Sequence, residues 1–396
     1  MNTPRACPVC NHRNSSQLFR QSFSSLSQGS LLDGYALVIC DDCGAGYAQD
    51  IPPQTVFDRY YEEMSKYEYT ERSEIQTITE LQRFCDEIDL VAPYLNNTDR
   101  ILDIGCSTGG LLAEFKRRGF SNLLGVDPSP SCAKFTEKLH GITAKPATIS
   151  TLDRLNEQVD IAFLTGVLEH LCDVDSSLAC IKSCLRTGGL IFLVVPDTTR
   201  YDRHFSAPFQ FFSMEHINYF SPLSLSNLMS RHGFSTVFTE RLTLQLTAYA
   251  NEPSIGGLFR WDAEPKARSS FVRDEETEPA LNRYIQQSQV LEQQIQTKID
   301  ELVDAQQPLA VWGVGTHTLR LLETSRLSQA QLVAFIDSNV NYQGKTLANI
   351  PVISPAEFNN SAAEILISSQ TAEPEIFEVI VRDWQWSNTI HRLYHN

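Results

Sequence analysis

The chain has 396 residues, 42% hydrophobic and 20% charged, which is enough apolar material for two or three separately packed domains. Acidic residues outnumber basic ones by 48 to 32, giving a net charge of −16. That excludes broad electrostatic attachment to nucleic acid or to anionic lipid. No run reaches the roughly 18 consecutive apolar residues of a membrane-spanning helix. The polar stretch from Met1 to Ser16 lacks the apolar centre of a signal peptide. A cytoplasmic protein with reduced thiols is therefore expected.

Four of the ten cysteines form two Cys-x-x-Cys pairs, Cys7/Cys10 and Cys40/Cys43, separated by 29 residues. Two such knuckles, each placing two thiolates on one tight turn, have the form of a zinc ribbon that closes a tetrahedron around a structural Zn²⁺. Gly44 and Gly46 supply the backbone freedom of the second turn. Free or redox-active dithiols are the alternative, but no βαβ pattern surrounds either pair. A nucleic-acid-binding ribbon is disfavoured because Arg5, Arg13 and Arg20 are offset by Asp33, Asp41, Asp42 and Asp50. Cys85, Cys106, Cys132, Cys172, Cys180 and Cys184 follow no ligand spacing and read as small buried hydrophobes.

From about residue 55 to 95 the pattern is helical, with Leu81, Phe84, Ile88 and Val91 at helical spacing and an aromatic cluster (Tyr60, Tyr61, Tyr67, Tyr69) before them. Then Arg100-Ile-Leu-Asp-Ile-Gly-Cys-Ser-Thr-Gly-Gly110 gives a short apolar strand and a Gly-rich turn, and Leu111-Leu-Ala-Glu-Phe-Lys opens an amphipathic helix. Leu123-Leu-Gly-Val-Asp127 is a second strand ending in a carboxylate, 22 residues after Gly105. Glycines that let the backbone approach a ligand, a helix N-terminus and a strand-end acid for a ribose diol suit an adenosine-containing cofactor.

This stretch resembles motif I of class I S-adenosylmethionine-dependent methyltransferases, and the likeness runs over roughly residues 98 to 250. It includes Val159-Asp-Ile-Ala-Phe-Leu-Thr165, Gly166-Val-Leu-Glu-His-Leu171 and Leu185-Arg-Thr-Gly-Gly-Leu-Ile-Phe-Leu-Val-Val195. The resemblance implies that Asp103 organises the glycine loop and the methionine amino group. Gly105 and Gly109 would lie against the methionine and ribose, and Asp127 would hold the ribose diol. Pro128 and Ser129 would flank the adenine, with Ala147 and Thr148 as further candidates, and Thr165 would reach the methionine end.

Two Glu-His pairs, Glu169-His170 and Glu215-His216, follow the fourth and fifth strands, where this fold builds its acceptor site beyond the strand ends. Histidine is the natural general base near neutral pH. His216 is the candidate base, and Tyr219 and Tyr67 are candidates to orient the acceptor or stabilise an enolate.

Residues 251–280 carry Pro253, Gly256, Gly257, Pro265 and Pro279 and read as a connector. A long exposed helix is expected from Pro279 to about Ala305, stopped by Pro308. Leu309-Ala-Val-Trp-Gly313-Val-Gly315-Thr-His-Thr-Leu319 and Leu332-Val-Ala-Phe-Ile-Asp337 then repeat the strand, glycine turn and strand-end acid. Thr318 stands where a dinucleotide fingerprint has its third glycine, which argues against tight NAD binding. A part in substrate binding or domain closure is expected of this tail.

The fold expected is therefore α/β. A zinc-binding ribbon occupies 1–55, a Rossmann-like class I methyltransferase core 56–250, a linker and long helix 251–305, and a C-terminal Rossmann-like α/β domain 306–396. This order resembles the C-methyltransferases of nucleotide-linked keto-deoxysugars. The resemblance implies that His216 removes the proton alpha to the ketone, with Glu215 as its partner, while His170 and Tyr67 stabilise the enolate oxygen. Ser213 stands where that family carries Tyr in its Tyr-x-Glu-His motif. The acceptor expected is a small molecule, a sugar nucleotide. O-methylation of another sugar or small molecule, a non-enzymatic binding protein of the same fold, and an oxidoreductase or epimerase using the Gly313–Gly315 turn are the alternatives.

Overall fold

The computed structural model describes residues 4–27, 31–64, 77–247, 250–262, 271–358 and 362–394. The strands in chain order are β1 (Ser15–Ser22), β2 (Gly34–Cys40), β3 (Gly46–Gln49), β4 (Ile101–Ile104), β5 (Leu123–Asp127), β6 (Ala144–Pro146), β7 (Val159–Thr165), β8 (Leu185–Pro196), β9 (Asn218–Tyr219), β10 (Phe234–Thr247), β11 (Ala250–Trp261), β12 (Pro308–Trp312), β13 (Gln331–Ile336), β14 (Thr346–Leu347), β15 (Ile350–Ile353), β16 (Glu364–Ile367) and β17 (Ile390–Arg392). They fall in two compact units interleaved along the sequence. The first comprises Met1–Leu18, Leu37–Tyr201 and Glu215–Leu281; the second comprises Phe19–Ala36, Asp202–Met214 and Asn282–Asn396.

The first unit is built on a seven-stranded sheet of order β10-β11-β8-β7-β4-β5-β6. Strands β4 to β8 run parallel. β4 is buried at all four positions, as strands covered by helices on both faces must be. The chain leaves β4 for β5 and β6 on one side, then returns to β7 on the other. Such a reversal opens a crevice beyond the carboxyl ends of the strands. Local signals set the connecting helices. Ser129 caps Pro130–His140 by accepting from Cys132 N, and Gly141 ends that helix at φ 57°. Thr77 and Glu80 form a capping box on Ile78–Val91.

Residues 250–261 are not a connector. They are β11, antiparallel to both β10 and β8, with Gly256 opposite Val194 and Gly257 opposite Leu193. The glycines are packing devices: a Cβ on Gly256 would come 2.9 Å from Leu242 Cδ1, and one on Gly257 would come 2.6 Å from the Phe259 ring. The composition that reads as loop marks close approach inside a sheet.

The second unit holds a six-stranded sheet of order β14-β15-β13-β12-β16-β17, with β13, β12, β16 and β17 parallel. Asp337 receives Val314 N on Oδ2 and Asn339 N on Oδ1, both at 2.8 Å. Thr318 Oγ1 donates to Gly313 O at 2.7 Å, so a side-chain bond fills the place of the absent third glycine. The long helix is Thr277–Ala305, and it is amphipathic rather than exposed. Tyr284, Ile285, Ile295, Ile299 and Val303 are buried, and Tyr284 packs edge-on to Phe212 with centroids 5.0 Å apart. Buried Arg320 meets Glu292 through two bonds of 2.9 Å.

Candidate functional site

The glycine turn after β4 is shaped by three left-handed residues, Gly105 (φ 79°), Ser107 (φ 49°) and Gly109 (φ 82°). A side chain on Gly105 would come 2.8 Å from Val167 Cγ2, and one on Gly109 would come 2.5 Å from Thr136 Cγ2. Thr136 Oγ1 also donates to Ser107 O at 3.1 Å, so the helix after β5 braces the turn. Asp127 at the end of β5 accepts Ser107 N on Oδ2 at 2.8 Å and Ser129 N on Oδ1 at 2.9 Å. It thus ties the turn to the start of the next helix. Pro128 is half-buried beside it. This cradle, which any Cβ would fill, with an acid at its lip, fits an adenosine-containing group.

Asp103, on β4, is 3% exposed; burial, then the nearby Glu87 and Asp127, push its carboxyl up to about 8. Thr165 and Gly166 line a cavity with Arg83, Glu87, Glu169 and Glu252. Glu169 is buried and likewise pushed up to about 8 by desolvation.

Both Glu-His pairs meet in one place. The rings of His170 and His216 are edge-on with centroids 4.9 Å apart. Glu169, His170 and His216 each offer a polar atom, and these lie within 4.8 Å of one another. His170 Nδ1 is 3.0 Å from Glu215 O and 3.0 Å from the Tyr61 hydroxyl. A carbonyl only accepts, so this contact puts a proton on Nδ1, and it turns Nε2 toward Glu169, 3.8 Å from Oε1. The Glu215 carboxylate accepts from the Tyr60 hydroxyl at 3.1 Å. Tyr60 and Tyr61, on the helix Gln54–Met64, are therefore the tyrosines of this cluster among the described residues; Tyr67 lies outside them. Tyr219 is buried on β9.

Arg5 is the residue that sequence reasoning missed. Its guanidinium donates to Ala48 O, Ile217 O, Leu171 O, Cys172 O and Asn218 Oδ1 at 2.7–3.2 Å. Asn218 Nδ2 in turn donates to Leu168 O at 2.9 Å and Leu171 O at 2.8 Å, and Ile217 N donates to Glu169 O at 2.9 Å. The segments carrying His170 and His216 are thus stitched together and to the N-terminus. The signal available in the sequence was only an arginine beside Cys7.

The four N-terminal cysteines are buried and come together. Cys7 Sγ lies 3.6 Å from Cys43 Sγ, and Cys10 Sγ lies 3.4 Å from Cys40 Sγ. These spacings exceed a disulfide of about 2.05 Å and approach the roughly 3.8 Å edge of a tetrahedron with metal–sulfur bonds of about 2.3 Å. The knuckles match: Asn11 N donates to Cys7 O and Gly44 N to Cys40 O, each at 2.9 Å. Of the remaining cysteines, Cys106, Cys132 and Cys184 are buried, whereas Cys85, Cys172 and Cys180 are half-buried.

Among the described residues no helix is long and apolar enough to cross a membrane. A family model described as a methyltransferase domain matches residues 75–238. The ubiquinone biosynthesis O-methyltransferase of Rhizobium etli is 34% identical over 105 residues, 25% of this chain and 42% of that protein. The protein of the same description from Nitrobacter winogradskyi is 38% identical over 114 residues, 27% of this chain and 43% of that protein. The chain thus spans less than half the length of these curated relatives. The solved 1,6-didemethyltoxoflavin-N1-methyltransferase of Burkholderia thailandensis, with bound S-adenosylhomocysteine, aligns at 18% identity and TM-score 0.42, covering 56% of this chain and 97% of that one. Residues 75–238 are thus similar to methyltransferase domains, and the sheet they build has the doubly wound, Rossmann-like α/β topology.

Proposed function

We propose that this chain, with its methyltransferase domain at residues 75–238, transfers the methyl group of S-adenosylmethionine to a small acceptor. The observation that carries the reading is the contact between two loops. Val167 packs where a Gly105 side chain would stand, so the loop bearing Glu169 and His170 lies directly against the glycine cradle. The cofactor, when bound, supplies an activated methyl group on a sulfonium. Asp103, Gly105, Gly109, Asp127, Pro128 and Thr165 hold and orient it. The protein's remaining task is to align the acceptor and take up its proton.

The acceptor is a keto-deoxysugar linked to a nucleotide, methylated on carbon. His216 takes the proton alpha to the ketone, and His170 stabilises the oxygen of the enolate. Glu215, held by Tyr60, fixes the backbone carbonyl that orients His170. Tyr67 helps His170 stabilise that oxygen. The four thiolates of Cys7, Cys10, Cys40 and Cys43 hold one structural Zn²⁺, and the enzyme works in the cytoplasm, where its thiols stay reduced. Labelled S-adenosylmethionine offered with a panel of thymidine-diphosphate keto-sugars tests the acceptor. A pH–rate profile tests the base: His216→Ala should lose turnover by a factor of about 10² or more and the acidic limb of the profile, where the base is protonated. Retention of most turnover removes His216 from that role.

A second reading is O-methylation of a hydroxyl, favoured by the description of the curated relatives and by the clustering of Glu169, His170 and His216, which suits deprotonation of an oxygen as well. Position-specific transfer of label to oxygen rather than carbon distinguishes it.

A further inference from the structure

Glu87 has no part in the reading so far, yet its surroundings are incomplete. It lies on the helix Ile78–Val91, is 1% exposed, and neither carboxylate oxygen has a hydrogen-bond partner. Arg83, one turn earlier on the same helix, brings its Nε to 3.7 Å from Glu87 Oε1, beyond hydrogen-bonding reach. Arg83 Nε is itself buried without a partner. Both side chains line the cavity that Thr165 and Gly166 border at the end of β7.

The other charged groups around this point are acidic. Asp86 neighbours Glu87 on its own helix and acts on it, and Glu87 and Asp127 both act on the Asp103 carboxyl of β4. Glu169 and Glu252 line the same cavity. Burial pushes the Glu87 carboxyl up to about 7 against the attraction of Arg83. A buried carboxyl and a buried guanidinium nitrogen, in loose ion-pair contact but each without a hydrogen bond, are costly to retain. A ligand with one cationic and one anionic group at amino-acid spacing would satisfy both.

We propose that Arg83 and Glu87 receive the amino-acid end of the cofactor, Glu87 accepting from its ammonium group and Arg83 donating to its carboxylate. This rests on the reading of the glycine cradle as the S-adenosylmethionine site. It adds to Asp103 a second acid from outside the glycine motif. It also makes binding proton-linked: Glu87 gives up its proton to solvent as the ammonium arrives, so a proton is released on binding near neutral pH.

The test is calorimetric titration of the full-length, zinc-loaded protein with S-adenosylhomocysteine, its deamino analogue and its decarboxy analogue, in two buffers of different ionisation heat. The wild type should bind the deamino analogue about 10-fold or more weaker than S-adenosylhomocysteine and should release protons on binding S-adenosylhomocysteine. In Glu87→Gln that discrimination should shrink to within about 3-fold and the proton release should fall. Arg83→Gln should keep the discrimination against the deamino analogue and lose that against the decarboxy analogue. Glu87→Gln replaces an acid with a neutral isostere, and its folding is checked by thermal melting; if it fails to fold, Arg83→Gln alone decides. Unchanged discrimination in the folded variants overturns the assignment. Failure of the wild type to bind any of the three ligands overturns the cofactor reading instead.

Discussion

Arg5→Ala is the most informative single change. The side chain makes five hydrogen bonds of 2.7–3.2 Å, two to Leu171 and Cys172 beyond His170 and two to Ile217 and Asn218 beyond His216. Bonds from a charged donor contribute about 1.5–3 kcal/mol each when removed singly. These share one donor group and are part-buried, so they do not add, and water enters the gap. A loss of about 2–4 kcal/mol follows, or a fall of roughly 5–15 °C in Tm for a unit of this size. The effect on turnover should be distinct from the effect on stability. The two histidine segments lose their common tether, so kcat should fall about 10-fold or more at a temperature where the variant is fully folded. Affinity for S-adenosylhomocysteine should change by less than about 3-fold, since no Arg5 contact touches the glycine cradle. Arg5→Lys keeps the charge but cannot fork toward both segments, and should fall between. The assays are thermal melting, steady-state kinetics and calorimetry on the three proteins. A variant that melts early yet turns over normally would refute the positioning argument.

Three further outcomes are expected. Elemental analysis should give about one zinc per chain, and Cys40→Ser should lose the metal and lower Tm; a zinc-free wild type that is fully folded would contradict this. Gly109→Ala should destabilise the chain by about 1–3 kcal/mol and weaken cofactor binding, because the residue sits at φ 82° with Thr136 Cγ2 2.5 Å from the new methyl; urea melts check it. Stability of the ligand-free protein should decline as pH rises from about 5 to 8. Glu87, Asp103 and Glu169 hold their protons in the fold up to about 7, 8 and 8. The unfolded chain gives them up near pH 4–4.5, so across this window the folded state binds more protons and a rise in pH favours unfolding. A Tm that climbs over this range would show that these carboxyls are already ionised, and Glu87→Gln should flatten the decline.

The parts that the sequence made legible are those set by local rules. The Gly105–Gly109 turn, the acid ending β5 and the two Cys-x-x-Cys knuckles are each written in a few consecutive residues, and their backbone follows from glycine geometry, capping and thiolate spacing. The parts that were not legible depend on partners far along the chain. Gly256 and Gly257 look like loop residues until Leu242 and Phe259 are seen pressing on them. Glu87 looks like the polar side of an amphipathic helix, and only its burial shows otherwise. Tyr60 and Tyr61 could not be singled out by composition, because their contacts are set by where Glu215 and His170 arrive. Arg5 reads as a surface charge because nothing nearby in sequence announces five carbonyl and amide acceptors.

The distance along the chain between Arg5 and Ile217, 212 residues, has a consequence for how the protein is made. At about 5–20 residues per second, a ribosome takes roughly 10–40 s to deliver the second after the first. Cys7 and Cys10 can meet Cys40 and Cys43 within seconds, so the cysteine cluster can form before every other long-range event. The early-formed N-terminus must then stay available, its arginine unmet, until most of the parallel sheet has emerged. A nascent chain halted before residue 217 should leave that arginine open to chemical labelling, whereas the released chain should protect it.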